Sequence, residues 1–96
     1  MTAPVKPRTR PDLTVVEIDG EAVVYDEVED RLHYLNPTAT LVFELFDGSA
    51  TIAELSREIA EASGLPDSQV ERDVRTLNQR FRKSGLLATA GEPAHA

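Results

Sequence analysis

The sequence predicts an α+β domain in which three antiparallel strands are followed by three helices. Three observations carry that expectation. Apolar residues before Arg31 alternate or run together in Val-rich stretches, whereas those after Asn36 recur at helical spacing, so the period changes within residues 31–39. Asp19-Gly20 sits between two β-branched runs, the signature of a type I′ hairpin in which Gly accepts positive φ. Thr51 and the pair Asp67-Ser68 each precede an amphipathic run, and Gly64-Leu65-Pro66 breaks the chain between them.

In chain order, residues 1–11 carry prolines at 4, 7 and 11 among Lys6, Arg8 and Arg10. They read as an extended, flexible segment ahead of a domain over residues 12–88. Residues 13–18 form the first strand, rich in β-branched side chains. Residues 21–26 return as the second through Ala22, Val23, Val24 and Tyr25. The acidic turn Glu27-Val28-Glu29-Asp30 leads into a short third strand over residues 31–35. A meander this small needs a helical layer on one face.

Asn36 offers an N-cap oxygen, and Pro37 takes the first helical position, where its missing N–H costs nothing. The first helix runs to about Phe46 and stops at Asp47-Gly48, with Leu41, Val42, Leu45 and Phe46 on one face. Thr51 and Glu54 make a capping box for the second helix. Ile52, Leu55 and Ile59 form its apolar face, and Gly64 ends it. The third helix starts at Asp67 or Ser68, with Glu71 placed for a box with Ser68, and runs to about Ser84. Val70, Val74, Leu77 and Phe81 are its core stripe. Gly85 closes it, Leu86-Leu87 packs back, and residues 89–96 read as a flexible tail. The expected core is Val24, Leu35, Leu41, Val42, Leu45, Ile52, Leu55, Ile59, Val74, Leu77 and Phe81. The last two helices form a helix-turn-helix pair with the strands as the wing, a winged helix-turn-helix arrangement.

Ninety-six residues make one small domain with a modest core. The chain holds no Cys, so disulfides, Cys-based zinc sites and thiol nucleophiles are excluded. No apolar run is long enough to span a bilayer, and no apolar stretch follows the charged N-terminus as in a signal peptide. A soluble cytoplasmic protein without a membrane partner is expected. The net charge of −7 is unevenly spread. Residues 12–30 hold eight acids and no base, whereas residues 72–83 hold five bases and one acid. Both stretches suit a solvated surface, and equally a face that repels polyanions opposite a helix that attracts acidic groups.

The runs Leu35-Asn36-Pro37-Thr38-Ala39, Phe43-Glu44-Leu45, Asp47-Gly48, Thr51-Ile52-Ala53-Glu54-Leu55 and Gly85-Leu86-Leu87, in that order, resemble the PqqD family. These are small winged helix-turn-helix proteins, also called RiPP recognition elements, of peptide-modification pathways. The resemblance covers residues 13–88. The Asp19–Asp26 hairpin, Asp-Gly-Glu-Ala-Val-Val-Tyr-Asp, suggests a subgroup outside quinone biosynthesis. The family implies a non-enzymatic binder of the leader of a ribosomally made precursor peptide. The leader adds as a strand to the third β-strand, in the groove toward the third helix. The precursor is then presented to a modifying enzyme, such as a radical SAM protein or a leader peptidase.

The residues support that mode separately. A short third strand exposes main-chain donors and acceptors along an edge, a template for β-augmentation. Its side chains are Arg31, Leu32, His33, Tyr34 and Leu35, of which Arg31 and Tyr34 offer a charge and an aromatic surface. The plainer reading makes Leu32, Tyr34 and Leu35 core residues and leaves the edge idle. At about 100° per residue, the third helix carries Glu71, Asn78, Arg82 and, further round, Arg75 on one flank of its core stripe. Val74, Arg75, Asn78 and Arg82 are therefore the candidates across the groove. The alternative use of the arginines is in solvated pairs with helical acids.

No catalytic residue, cofactor or metal site is expected. His33 and His95 are the only histidines, no Gly-rich phosphate loop is present, and the carboxylates form no recognisable inward pair. The competing class is a DNA-binding winged helix-turn-helix regulator reading through the basic third helix. An isoelectric point near 4.7 and the acidic sheet argue against a nucleic-acid partner, because duplex affinity depends on neutralising phosphates. A protein–protein adaptor with no peptide groove, or a weak homodimer through an edge strand, is a third reading.

Overall fold

The computed structural model describes residues 5–88, and the tail expected over residues 89–96 lies outside them, as do the first four residues. β1 (Thr14–Ile18), β2 (Glu21–Asp26) and β3 (Arg31–Leu35) precede α1 (Pro37–Leu45), α2 (Ile52–Ser63) and α3 (Asp67–Lys83). The strands form one antiparallel sheet in the order β1-β2-β3. Asp19 and Gly20 both take positive φ, 54° and 81°, as a type I′ turn requires.

The register sorts the side chains onto two faces. Val15 pairs with Val24 and Val24 with His33, while Val16 pairs with Val23 and Val23 with Tyr34. Ala22, Val24 and Asp26 point inward and are buried, as is Leu35. Val16, Ile18, Val23, Tyr25, Leu32 and Tyr34 alternate onto the opposite face. α1 packs against β2 and β3 and also touches α3, while α2 and α3 pack on each other. Every residue of β1 is exposed, so this strand extends beyond the helical cover.

Helix starts follow the side-chain chemistry. Asn36 Oδ1 accepts the Ala39 N–H at 2.8 Å, with Pro37 opening α1. Thr51 Oγ1 accepts the Glu54 N–H at 3.1 Å, and Glu54 Oε1 accepts the Thr51 N–H at 2.8 Å. α3 differs from expectation: it begins after Pro66 with no side-chain cap. Glu71 does not close a box with Ser68, because Ser68 lies inside the first turn, and the Glu71 carboxylate accepts from Arg75 at 2.6 and 3.0 Å.

The core centres on Phe81, whose ring meets Phe43 and Phe46 edge-on at centroid distances of 5.7 and 5.9 Å. Val24, Leu35, Val42, Leu55, Val74, Leu77 and Phe81 are buried as expected. Leu41 is not: it is 46% exposed. The inward stripe of α1 is Ala39, Val42, Phe43 and Phe46, so the phase of this helix differs from the one expected and Leu41 falls on the flank. Leu45, Ile52 and Ile59 are half-buried and rim the core.

The segment read as flexible is held along its second half. Thr9 N–H donates to Phe46 O and Arg10 N–H to Leu86 O, each at 2.9 Å, while Gly48 N–H reaches Pro7 O at 2.9 Å. The cause is Asp26. Alternation turns it inward, where it is wholly buried, and a buried carboxylate must be paired. Arg10 donates to both its oxygens at 2.8 and 3.2 Å, to Asp12 at 2.7 and 3.2 Å, and to Gly85 O at 2.8 Å. The N–H groups of Val28 and Glu29 complete the Asp26 shell at 3.1 and 3.2 Å.

The Arg10 hydrogen bonds hold the Asp26 carboxyl below the usual carboxylate range, and the two backbone N–H groups add to this. Its folded pKa lies under its unfolded value, so its stabilisation is present above about pH 4 and is lost as pH falls through the folded pKa. Asp26→Asn is therefore expected to lower the melting temperature at pH 7 and to flatten its fall in acid. Thermal melts from neutral to strongly acidic pH check this. A parallel downward offset at every pH would mean that Asp26 carries no linked charge.

Candidate functional site

β3 pairs with β2 on one side and with no other strand among the described residues, so its second side is open. Strand alternation divides the five residues expected at this edge. Arg31, His33 and Leu35 share the inward face, where Leu35 is buried and His33 half-buried. Leu32 and Tyr34 point to the other face and are exposed, so neither belongs to the core. The charge of Arg31 and the ring of Tyr34 thus lie on opposite faces and do not form one surface.

On α3 the expected residues also separate. Val74 is buried in the core and supports the helix instead of lining a surface. Asn78 is half-buried, whereas Arg75 and Arg82 are exposed. Arg75 is engaged with Glu71, an exposed i,i+4 pair of small energetic weight. Arg82 makes no ion pair or side-chain hydrogen bond with the described residues. α1 touches both β3 and α3 and bridges them from the core side.

Each of the two elements carries one buried polar atom of note. His33 Nε2 on β3 and Asn78 Oδ1 on α3 are buried polar atoms with no hydrogen-bond partner among the described residues. A buried donor or acceptor left unpaired costs about 1–3 kcal/mol, so native structures seldom leave one idle. Imidazole Nε2 can donate or accept, and an amide oxygen accepts.

Reading the sequence missed two features. Glu17, on the inward register of β1, lies close to Glu44 of α1, and its carboxylate raises the Glu44 pKa; both side chains are exposed. Leu41, Leu45 and Ile59 line an open apolar groove of about 300 Å³ between α1 and α2, edged by Glu58 and Ser63. No group of three potential metal ligands occurs among the described residues. No described helix is long and apolar enough to cross a membrane.

A family model described as coenzyme PQQ synthesis protein D matches residues 21–87. Two solved structures share the fold. One is "Lasso peptide synthetase B1 complexed with the leader peptide", 21% identical, with a TM-score of 0.75 over 88% of this chain and 99% of that one. The other is "TbiB1 in Complex with the TbiA(beta) Leader Peptide", 18% identical, with a TM-score of 0.76 and the same coverage. No curated protein matches the sequence.

Proposed function

The chain belongs to the PqqD family, and from that premise we propose that it is a non-enzymatic binder of the leader of a ribosomally made precursor peptide. The leader pairs as an added strand along the open side of β3 and faces α3. The observation that carries this is the open edge of β3 together with the unpaired His33 Nε2 and Asn78 Oδ1. Two proteins of the same fold are described as complexes with leader peptides, which supports the reading. Main-chain pairing supplies affinity that depends little on sequence, and side chains at His33, Asn78 and Arg82 select the peptide. The bound precursor is presented to a modifying enzyme such as a radical SAM protein or a leader peptidase.

The test is a titration of labelled protein with the cognate leader. Amide shifts are expected to concentrate on residues 30–36 and 70–83. Shifts confined to the first hairpin or to α2 would remove the proposal. The arginines are expected to contribute unequally. Arg82→Glu weakens an acidic leader more than Arg75→Glu does, because Arg75 already spends its charge on Glu71. Both losses shrink at high salt. Equal effects of the two substitutions, measured by calorimetry, would show that Glu71 releases Arg75 on binding.

A further inference from the structure

The outer face of the sheet is apolar and uncovered. Cross-strand rows set Val16, Val23 and Tyr34 side by side and Tyr25 beside Leu32, with Ile18 at the hairpin end. Val16, Ile18, Leu32 and Tyr34 are each more than half exposed. α1 lies on the opposite face, over the buried Ala22 and Val24. A contiguous apolar patch of this kind on a small domain marks an interaction surface.

Its rim carries one sign of charge. Asp19 and Glu21 stand at one end and Glu27, Glu29 and Asp30 at the other, all exposed. The Tyr25 hydroxyl donates to Asp30 at 2.9 Å, which ties the apolar patch to that rim. Residues 12–30 contain no Lys or Arg, and the exposed Arg31 that follows Asp30 takes the opposite face of the sheet, in register with Asp26. A second copy docking through the same face would set two such rims against each other, on chains that each carry a net charge of −7. An anionic lipid surface is repelled for the same reason. Charge complementarity selects a cationic counterpart.

We infer that this face docks a partner protein presenting an apolar patch bordered by Lys and Arg. The face is defined without reference to the leader; only the identification of the partner as the precursor's modifying enzyme rests on the proposed function. A strand added at β3 lies beside Leu32 and Tyr34 and places every second side chain on this same face. The partner therefore meets the protein and the bound leader on one continuous surface.

The probe is a synthetic amphipathic helix with a Leu stripe flanked by Lys, alongside a counterpart with Glu in place of Lys. Each is titrated into the labelled full-length chain. The Lys helix is expected to shift residues 14–18, 21–25, 32 and 34, and to bind more weakly as salt rises. Val16→Thr with Ile18→Thr, on a strand exposed along its whole length, keeps the fold and weakens this binding about tenfold. The same double variant leaves the leader-induced shifts at residues 30–36 and 70–83 in place. The inference is overturned by shifts at Leu41, Leu45 and Ile59, by equal binding of the Glu helix, or by no binding of the Lys helix. Sedimentation of the chain as a dimer that the double variant dissolves, or its pelleting with anionic vesicles, overturns it as well. Absent leader shifts in the unaltered chain would defeat the proposed function and leave this face standing.

Discussion

Phe81→Ala is expected to lower the unfolding free energy by about 3–5 kcal/mol. The Phe81 ring is 98% buried and lies edge-on to Phe43 and Phe46, so truncation leaves a cavity lined by two rings on another stretch of chain. Those contacts tie α3 to α1 and, through α1, to the sheet. A domain of this size holds roughly 5–15 kcal/mol in total, so the variant is marginal at body temperature. Urea unfolding measures the loss as a shift in midpoint at constant slope. A loss below about 1 kcal/mol would mean that Phe81 is not central. Leu41→Ala, by contrast, should change stability by about 1 kcal/mol or less, because Leu41 is exposed on the flank of α1.

The second large effect separates the two sides of β3. Ladder groups in an antiparallel strand alternate, so of two adjacent N–H groups one serves the neighbouring strand and the next serves the open side. Proline removes the donor wherever it stands. Of His33→Pro and Tyr34→Pro, one is expected to lower the melting temperature by breaking the β2 ladder. The other stays near the parent melting temperature and binds leader at least about tenfold more weakly. A leader N-methylated at alternate amides tests the same ladder from the peptide side, with the protein unchanged. Undiminished binding by the folded proline variant and by every methylated leader would show that the edge is not used.

Most of the fold was legible because local chemistry and hydrophobic period agree along the chain. Asn36-Pro37, Thr51 with Glu54, and Asp19-Gly20 each specify their backbone within a few residues, and each does so in the structure. The phase of α1 was less legible. Leu41 and Leu45 compete with Ala39 and Phe43 for one face, and only the position of the sheet beneath decides between them. The Arg10–Asp26 pair joins residues sixteen apart, with a hairpin strand between them. Strand alternation alone would have put Asp26 on the side of Ala22 and Val24, which was the one signal for its burial. Within the site, the same alternation separates Leu32 and Tyr34 from Arg31, His33 and Leu35, although the five are contiguous in sequence. The burial of His33 Nε2 and Asn78 Oδ1 depends on tertiary packing around each, which no periodicity encodes.

The Arg10 guanidinium has a practical consequence for where the domain is cut. The family match begins at residue 21, inside the hairpin and after Arg10. A fragment that starts there removes the cation that pairs the Asp26 carboxylate, buried in the full chain. It also deprives the Gly85 carbonyl of a donor and strips β1 from β2, turning a central strand into a bare edge. Such a fragment is prone to pair with its own copies along β2 before it ever meets a peptide. A fragment that keeps the Arg10–Asp26 pair, the Pro7 contact and the β1 pairing therefore begins near Pro7, ahead of the residues that the family model matches.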